Sequence, residues 1–386
     1  MPIYPPENYY SIMKNVLFLS SWYPSRVHTT LGNFVRYHAL AASKYNTINV
    51  LYLVPDDNVK DYEINYFQDE ELKTTIVYFK RGFFKYLNYF IAFNKGFQFL
   101  KKKNKLKFDI VHMNIMHPGI WQALYLKWRY KIPYVVSENW HGFQDLAKYN
   151  LSFLEMKLIN LGFRFSSVIS PVSQQLKNCM INANYKAKYK IIPNVVDTEK
   201  FHTGEKDTEN KNFTFLHVST LDNSIKNVSG IIDAFEKIKH LNIELKIVGD
   251  GPTNWIVKKI STLKTKNTIS VESEKTHDQI AKEMQKANVF VLFSNIENLP
   301  LVLIESISSG TPFIATKVGG IPELFNNKMG RLVDAGSIDQ LLNEMNFMIE
   351  NPNFFNSSSI RSYAIKNYSN EEVGKKFNDL YIEYSI

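Results

Sequence analysis

From Val16 onward the chain alternates short apolar runs with longer stretches of helical periodicity. The runs Val16–Ser20, Ile48–Leu53, Ile110–His112, Tyr134–Ser137 and Val168–Ser170 predict strands in the first half. Thr214–Val218, Glu244–Val248, Val289–Phe293 and Phe313–Thr316 predict strands in the second. Continuous apolar strands separated by helices are the pattern of an α/β protein whose parallel sheets are covered on both faces. Leu301, Val302, Leu303, Ile304 and Ile307 are apolar nearly all round, so a buried helix is expected there, with Asn298 and Pro300 as its start signals. Ser308-Ser309-Gly310 ends it and Thr311-Pro312 turns the chain into the next strand. A last helix is expected over roughly Asn370 to Tyr384.

Length bears on the domain count. A chain of 386 residues exceeds one comfortable core, so two domains of similar size are expected, residues 14–195 and 196–369, joined near Ile191-Ile192-Pro193-Asn194-Val195-Val196-Asp197-Thr198. Residues 370–386 form the terminal helical segment. Residues 1–13, with three prolines before residue 13, are expected to be a disordered extension, with Met13 an alternative start. The single cysteine, Cys179, excludes an internal disulfide and fits a reducing compartment. No apolar run approaches the ~18 residues that span a bilayer. The run Val16–Leu19 is too short for a secretory signal and meets Trp22-Tyr23-Pro24 in place of a cleavage site, so a cytoplasmic protein is expected.

The net charge of +9 suits an anionic partner. Much of it lies between Lys80 and Lys105, where Phe83, Phe84, Tyr86, Leu87, Tyr89, Phe90, Phe93, Phe97 and Phe99 interleave with lysines. Two readings stand. One is a segment bound peripherally to an anionic membrane surface; the other is an amphipathic helix packed into the first domain with a solvated lysine tail. No nucleic-acid motif accompanies the charge, so nucleic acid is not an expected partner.

Chemistry is concentrated between Ser294 and Glu323. Glu297, seven residues and then Glu305 place one carboxylate just outside a helix N-terminus and another within the helix, ahead of Gly310-Thr311-Pro312 and Val318-Gly319-Gly320-Ile321-Pro322-Glu323. A helix start beside a strand end is an anion site. The bland alternative, a surface Glu297 and a capping Glu305, leaves an acid inside an apolar helix in need of a partner. Upstream, Lys226 falls between the predicted strand Thr214–Val218 and an apolar helix, and Gly249-Asp250-Gly251-Pro252 makes a tight turn after the next strand. In the first half, Gly32 lies in the loop after the first strand, where it is either an ordinary turn glycine or a point of close backbone approach. His112, His117 and His141 lie at or near predicted strand ends. No Asp/His cluster has metal-ligand spacing.

The Glu297–Glu305 segment resembles the donor-site signature of the group-one glycosyltransferases, a large retaining family with the two-domain GT-B fold. The resemblance covers Lys14 to about Tyr384 and is strongest from Phe215 onward. It implies two Rossmann-like domains facing across a cleft, a C-terminal helix crossing back to the first domain, no metal and no cofactor. By the family's pattern Glu297 lies at the transferred sugar, Glu305 on the nucleotide ribose and Lys226 on the diphosphate. The family's Gly-Arg before that lysine is replaced here by Ser219 and Thr220. The grip on phosphate then falls to Lys226, the Thr220 hydroxyl, the turn at Gly249 and the loop and helix start formed by Asn298, Leu299, Leu301 and Val302, or to an arginine from elsewhere. Pro300 contributes no N–H. Gly32 implies backbone approach to donor and acceptor. A Glu-His-Trp motif of the family appears as Glu138-Asn139-Trp140, with Asn139 at the histidine position and His141 two residues later as the candidate to take over its contact to donor or acceptor.

The resemblance implies a retaining glycosyltransferase that moves a hexose-type sugar from a nucleotide-diphosphate sugar to a glycan or lipid-linked glycan in cell-surface polysaccharide synthesis, with Glu297, Lys226 and His141 as the catalytic candidates. The alternatives are a sugar-nucleotide epimerase or glycan phosphorylase on the same fold, or a nucleotide-sugar-binding subunit without turnover, which Thr220 and Asn139 favour.

Overall fold

The computed structural model of the protein describes residues 13–82, 85–104, 107–204 and 212–386. The chain divides into two compact α/β units, one running to Pro193 and including Asn370–Ile386, the other Asn194–Ser369. Of the expected extension, residues 1–12 lie outside the described residues.

The first unit holds a seven-stranded sheet in the order β3-β4-β2-β1-β5-β6-β7. Its strands are β1 Asn15–Ser20, β2 Thr47–Pro55, β3 Tyr62–Asp69, β4 Leu72–Phe79, β5 Ile110–Asn114, β6 Tyr134–Glu138 and β7 Val168–Pro171. All pairings are parallel except that of β3, which runs antiparallel along the edge beside β4. The second unit holds six parallel strands in the order β10-β9-β8-β11-β12-β13. These are β8 Phe213–Ser219, β9 Ile243–Gly249, β10 Thr268–Glu272, β11 Val289–Leu292, β12 Phe313–Thr316 and β13 Gly330–Val333. The nine expected strands are present; β3, β4, β10 and β13 were not expected. Central strands such as β1, β2, β5 and β11 are buried almost throughout, which is why they read as continuous apolar runs.

In an open sheet of this kind the strand order reverses at one point, and the crevice beyond the carboxyl ends of the two strands there is the natural ligand site. In the second sheet that point lies between β8 and β11; in the first, between β1 and β5.

The terminal helix Asn370–Tyr384 packs in the first unit against the helix Asn33–Ser43. Gly374 allows the approach, since a Cβ there would stand 2.1 Å from the Ala41 carbonyl oxygen. Tyr381 hydroxyl lies 2.5 Å from His112 Nδ1, and Ser137 Oγ lies 2.8 Å from His112 Nε2. His112 is therefore a satisfied core histidine, and burial holds its pKa well below the ordinary range. No helix of the described residues is long and apolar enough to cross a membrane.

Candidate functional site

Lys226 and Glu297 meet at the β8/β11 reversal. After β8 the chain takes Leu221 through a positive φ of 57° and starts the short helix Asn223–Lys226, which Asp222 caps by accepting from Ser224 N–H at 2.9 Å. Asn227, at φ 48°, then begins the helix Val228–Glu236, so Lys226 sits at the kink between two helices. The loop after β11 is tied to this kink by Asn295, which donates its N–H to the Ile225 carbonyl at 2.7 Å and its amide to the Ser224 carbonyl at 3.0 Å. Lys226 Nζ consequently lies 2.6 Å from Glu297 Oε1, and Ser294 Oγ donates to the same oxygen at 2.8 Å. Both ions are largely covered, with 16% and 8% of their side chains exposed. A short, shielded pair with a further hydroxyl donor has a fixed geometry that a surface pair lacks.

The Glu297 loop is held from behind. Gly319, at φ 56°, packs so closely that a Cβ would stand 1.9 Å from the Glu297 carbonyl oxygen, and Gly320 N–H donates to the Asn298 carbonyl at 2.6 Å. Asn194 donates its amide to the Leu299 carbonyl at 2.6 Å, and Thr316 Oγ1 donates to the Ser294 carbonyl at 2.7 Å. Ser294 and Asn194 carry no local sequence signal for these tasks, because each contact is set by tertiary placement.

The helix Leu301–Ser308 is present, but its N-cap is Pro300, with no side-chain cap. Of the two start signals, Pro300 takes the cap position and Asn298 is buried in the loop two residues before it. Leu301 and Val302 head the helix, where amide groups precede the first i−4 acceptor. Glu305 is only 2% exposed and lies 3.8 Å from His277 Nε2. Burial raises its pKa from 4.5 to about 8, with the charge of Lys200 acting in the opposite direction. Thr220 is exposed, and Gly249 and Gly251 pack against the Ser219 and Thr220 carbonyl oxygens, 2.2 Å from where each Cβ would be. Beneath them, buried His217 faces the Val291 carbonyl through Nδ1 at 2.8 Å, which makes Nδ1 the protonated nitrogen and leaves Nε2 to accept from Ser219 Oγ.

Gly32 and His141 belong to the first unit. Gly32 has φ 78°, and a Cβ there would stand 2.5 Å from the carbonyl carbon and oxygen of Trp22, so the loop's own folding already demands glycine. His141 opens a 3₁₀ turn, His141–Gln144, with its Nε2 2.5 Å from the Tyr149 hydroxyl. Beside it Trp140 stacks on His117, ring centroids 5.3 Å apart.

The Lys80–Lys105 segment contains the helix Lys85–Asn104; Phe83, Phe84 and Lys105 lie outside the described residues. Ala92, Phe93, Phe97 and Leu100 form its buried stripe, and Gly96 lets it settle against Val77 and Leu51. Lys95 and Lys103 lie over the Tyr62 and Tyr66 rings at 3.9 and 3.8 Å. Tyr86, Leu87, Phe90 and Ile91 form a second, exposed apolar stripe in the first turns, and Lys80 and Arg81, a few residues earlier in the chain, are exposed as well. Among the described residues no group of three or more His, Cys, Asp or Glu side chains could hold a metal ion.

Two α/β units, each built on a mainly parallel sheet, make this a protein of the GT-B fold. Residues 197–367 match the family described as glycosyl transferases group 1, and residues 36–200 match the one described as glycosyltransferase family 4. The chain belongs to the group 1 glycosyltransferases. It is 28% identical over 280 residues to an uncharacterized glycosyltransferase of Methanocaldococcus jannaschii, covering 72% of this chain and 70% of that one. It is 23% identical to the N-acetyl-alpha-D-glucosaminyl L-malate synthase of Bacillus anthracis over 58% of this chain and 62% of the relative. Among solved structures, the sucrose-phosphate synthase of Thermosynechococcus elongatus superposes with a TM-score of 0.76 at 15% identity, covering 96% of this chain and 99% of the other. Anabaena HepE in complex with UDP-glucose superposes with a TM-score of 0.71 at 17% identity, covering 95% and 99%.

Proposed function

We propose that the protein transfers a sugar from a nucleotide-diphosphate sugar, with retention of configuration, to a glycan or lipid-linked glycan in cell-surface polysaccharide synthesis. The observation that carries this reading is the shielded Lys226–Glu297 pair at the β8/β11 reversal. Cleaving the donor builds negative charge on the leaving diphosphate, and fixed positive charge aimed there lowers the barrier. Lys226 and the first amides of the Leu301–Ser308 helix stabilise the leaving group, Glu297 orients the sugar, and Glu305 is the ribose contact. The departing oxygen helps to deprotonate the acceptor hydroxyl, which attacks on the same face, so no protein nucleophile, metal or cofactor is invoked. Gly32 lets the backbone approach the donor phosphates and the acceptor, and His141 is the first unit's candidate contact to donor or acceptor. HepE, solved with UDP-glucose, supplies the first donor to try. The putative teichuronic acid glycosyltransferase of Bacillus subtilis and the alpha-monoglucosyldiacylglycerol synthase of Streptococcus pneumoniae supply glycan and lipid acceptor classes. The exposed stripe Tyr86–Ile91 with Lys80 and Arg81 supports peripheral attachment to an anionic membrane on the cytoplasmic side.

A thermal-shift screen of UDP-, GDP- and ADP-sugars tests the donor reading, since a ligand that binds only the folded state raises the melting temperature. One nucleotide class is expected to stabilise the protein and to be consumed when an acceptor extract is added, giving a product with the donor's anomeric configuration. No shift with any nucleotide sugar overturns the proposal. Binding without turnover on any acceptor pool selects the non-catalytic reading favoured by Thr220 and Asn139.

A further inference from the structure

The first sheet has its own strand-order reversal, between β1 and β5, and the loop leaving β5 is strained there. Ile115 is β-branched yet has φ 61°, a conformation such residues adopt only when surrounding contacts enforce it. Contacts do surround it. Ile115 N–H donates to the Ser137 carbonyl at 2.9 Å, and its carbonyl accepts from Ser21 Oγ at 2.8 Å. The next residue, Met116, donates its N–H to Glu138 Oε2 at 2.9 Å.

Glu138, the last residue of β6, is fully buried, and among the described residues it forms no ion pair with a lysine or arginine. Its other oxygen, Oε1, accepts from Asn139 N–H at 2.9 Å and Trp140 N–H at 2.8 Å. One carboxyl group thus takes three peptide N–H groups from two different loops, those following β5 and β6. Burying a carboxylate without a cation is costly, and burial raises its pKa from 4.5 to about 7 against the pull of all three amides. Packing alone does not require an acid here: an apolar side chain of the same length would fill the space but leave all three N–H groups without this acceptor.

We infer that Glu138 is a positioning residue: its carboxyl clamps the β5 and β6 loops together and so fixes His117, Trp140 and His141 at the strand-order reversal of the first unit. It touches neither substrate nor reacting atoms. The effect on acceptor handling rests on the glycosyltransferase reading given above; the clamp itself does not.

Glu138→Gln and Glu138→Met test it. Gln keeps one acceptor oxygen and opposes an N–H with another N–H; Met keeps the volume, removes every acceptor and relieves the buried charge, and the melting temperature of each variant is measured first to establish that it is folded. Hydrogen exchange of the full chain is measured by mass spectrometry on peptides covering 113–120 and 138–145. The amides of Met116, Asn139 and Trp140 are expected to exchange roughly 10- to 100-fold faster in both variants, more so in Met, as when a hydrogen bond to a charged group is lost. Peptides from β1 and β2 are expected to be unchanged. With the donor selected by the thermal-shift screen, nucleotide affinity is expected to stay within about twofold, because Lys226, Glu297 and Glu305 lie in the other unit and Gly32 follows a different strand, β1, while KM for the acceptor rises. Unchanged loop exchange in both variants overturns the clamp. Faster loop exchange with an unaltered acceptor KM overturns its role in acceptor positioning. Absence of donor binding in the unmodified protein would count against the functional reading and leave the exchange result to decide the clamp.

Discussion

Lys226 Nζ stands 2.6 Å from Glu297 Oε1, so the ammonium assigned to the donor diphosphate is already held by the carboxylate assigned to the sugar. The pair orders the lysine before any ligand arrives, which reduces the reorganisation left for the reacting complex. It also offsets part of the positive charge an incoming nucleotide would meet.

Replacing Glu297 therefore separates binding from transfer. Glu297→Gln keeps the side chain's length and a hydrogen bond to Lys226 or Ser294 while removing the competing charge. Nucleotide diphosphate affinity is expected to be equal to or higher than that of the unmodified protein, and transfer to fall roughly 100- to 1000-fold. Lys226→Met is expected to weaken both. Titration calorimetry with the nucleotide and initial rates with the full donor distinguish the two effects; full transfer by Glu297→Gln would remove this residue from the mechanism.

Gly319 and Gly336 make a matched pair for the buttress behind Glu297. Both have positive φ, 56° and 76°, so Ala at either costs backbone strain of about 1 kcal/mol. Only at Gly319 does the new Cβ collide with the Glu297 carbonyl; at Gly336 nothing lies within 4 Å. Gly336→Ala is expected to lower the melting temperature slightly with transfer intact. Gly319→Ala is expected to destabilise by ~1–3 kcal/mol and to lose transfer as well. Equal activity in the two variants would show that the Glu297 loop tolerates displacement.

The acid at position 305 gives a pH signature of known sign. Its pKa is about 8 in the fold against 4.5 ordinarily, so between these values the folded state keeps a proton that the unfolded chain releases. Its contribution to stability is complete below pH 4.5 and is lost as pH rises through 8. Glu305→Gln cannot release that proton, so its melting temperature relative to the unmodified protein is expected to rise from pH 5 to pH 9, by an amount on the order of a few kcal/mol in stability. Melting curves across that range check it, and a constant difference would mean that the carboxyl is ionised in the fold. Weaker nucleotide binding by the same variant is expected from the ribose assignment.

How much of this could be read from the sequence depends on where each contact originates. The strands buried on both faces were legible because each carries a run of mostly apolar residues. The edge strand Tyr62–Asp69 was not, since most of its residues meet solvent, and β4 hides Thr74 and Thr75 in the core behind a polar pattern. Lys226 and Glu297 each stood out by their place after a strand, but their mutual contact depends on Asn295 joining two loops 71 residues apart. Asn298 and Pro300 marked the helix start to within a few residues, but which residue stands at the cap was not legible, because Pro300, with its fixed geometry, takes that position. Glu138 was visible only as part of a motif, because the groups it serves are backbone amides that no sequence displays.

The exposed stripe on the helix Lys85–Asn104 yields the prediction furthest from the chemistry. Leu87 and Ile91 are one helical turn apart and both exposed, while the opposite stripe is fully used in packing against the sheet. Polar replacement there leaves the core intact and removes surface that would enter the headgroup region. Leu87→Ser/Ile91→Ser is expected to lower binding to vesicles containing phosphatidylglycerol about tenfold, the scale of two partly buried aliphatic side chains. Binding by the unmodified protein is expected to weaken with added salt, as for attraction between exposed charges, and to be slight on neutral phosphatidylcholine vesicles. Val257→Ser, a polar change at an exposed apolar residue of the second unit, is the control and is expected to bind as the unmodified protein does. Vesicle sedimentation over a salt series measures all of these; equal binding by the Leu87/Ile91 variant would assign the attraction to the lysines alone and return the stripe to the ordinary protein surface.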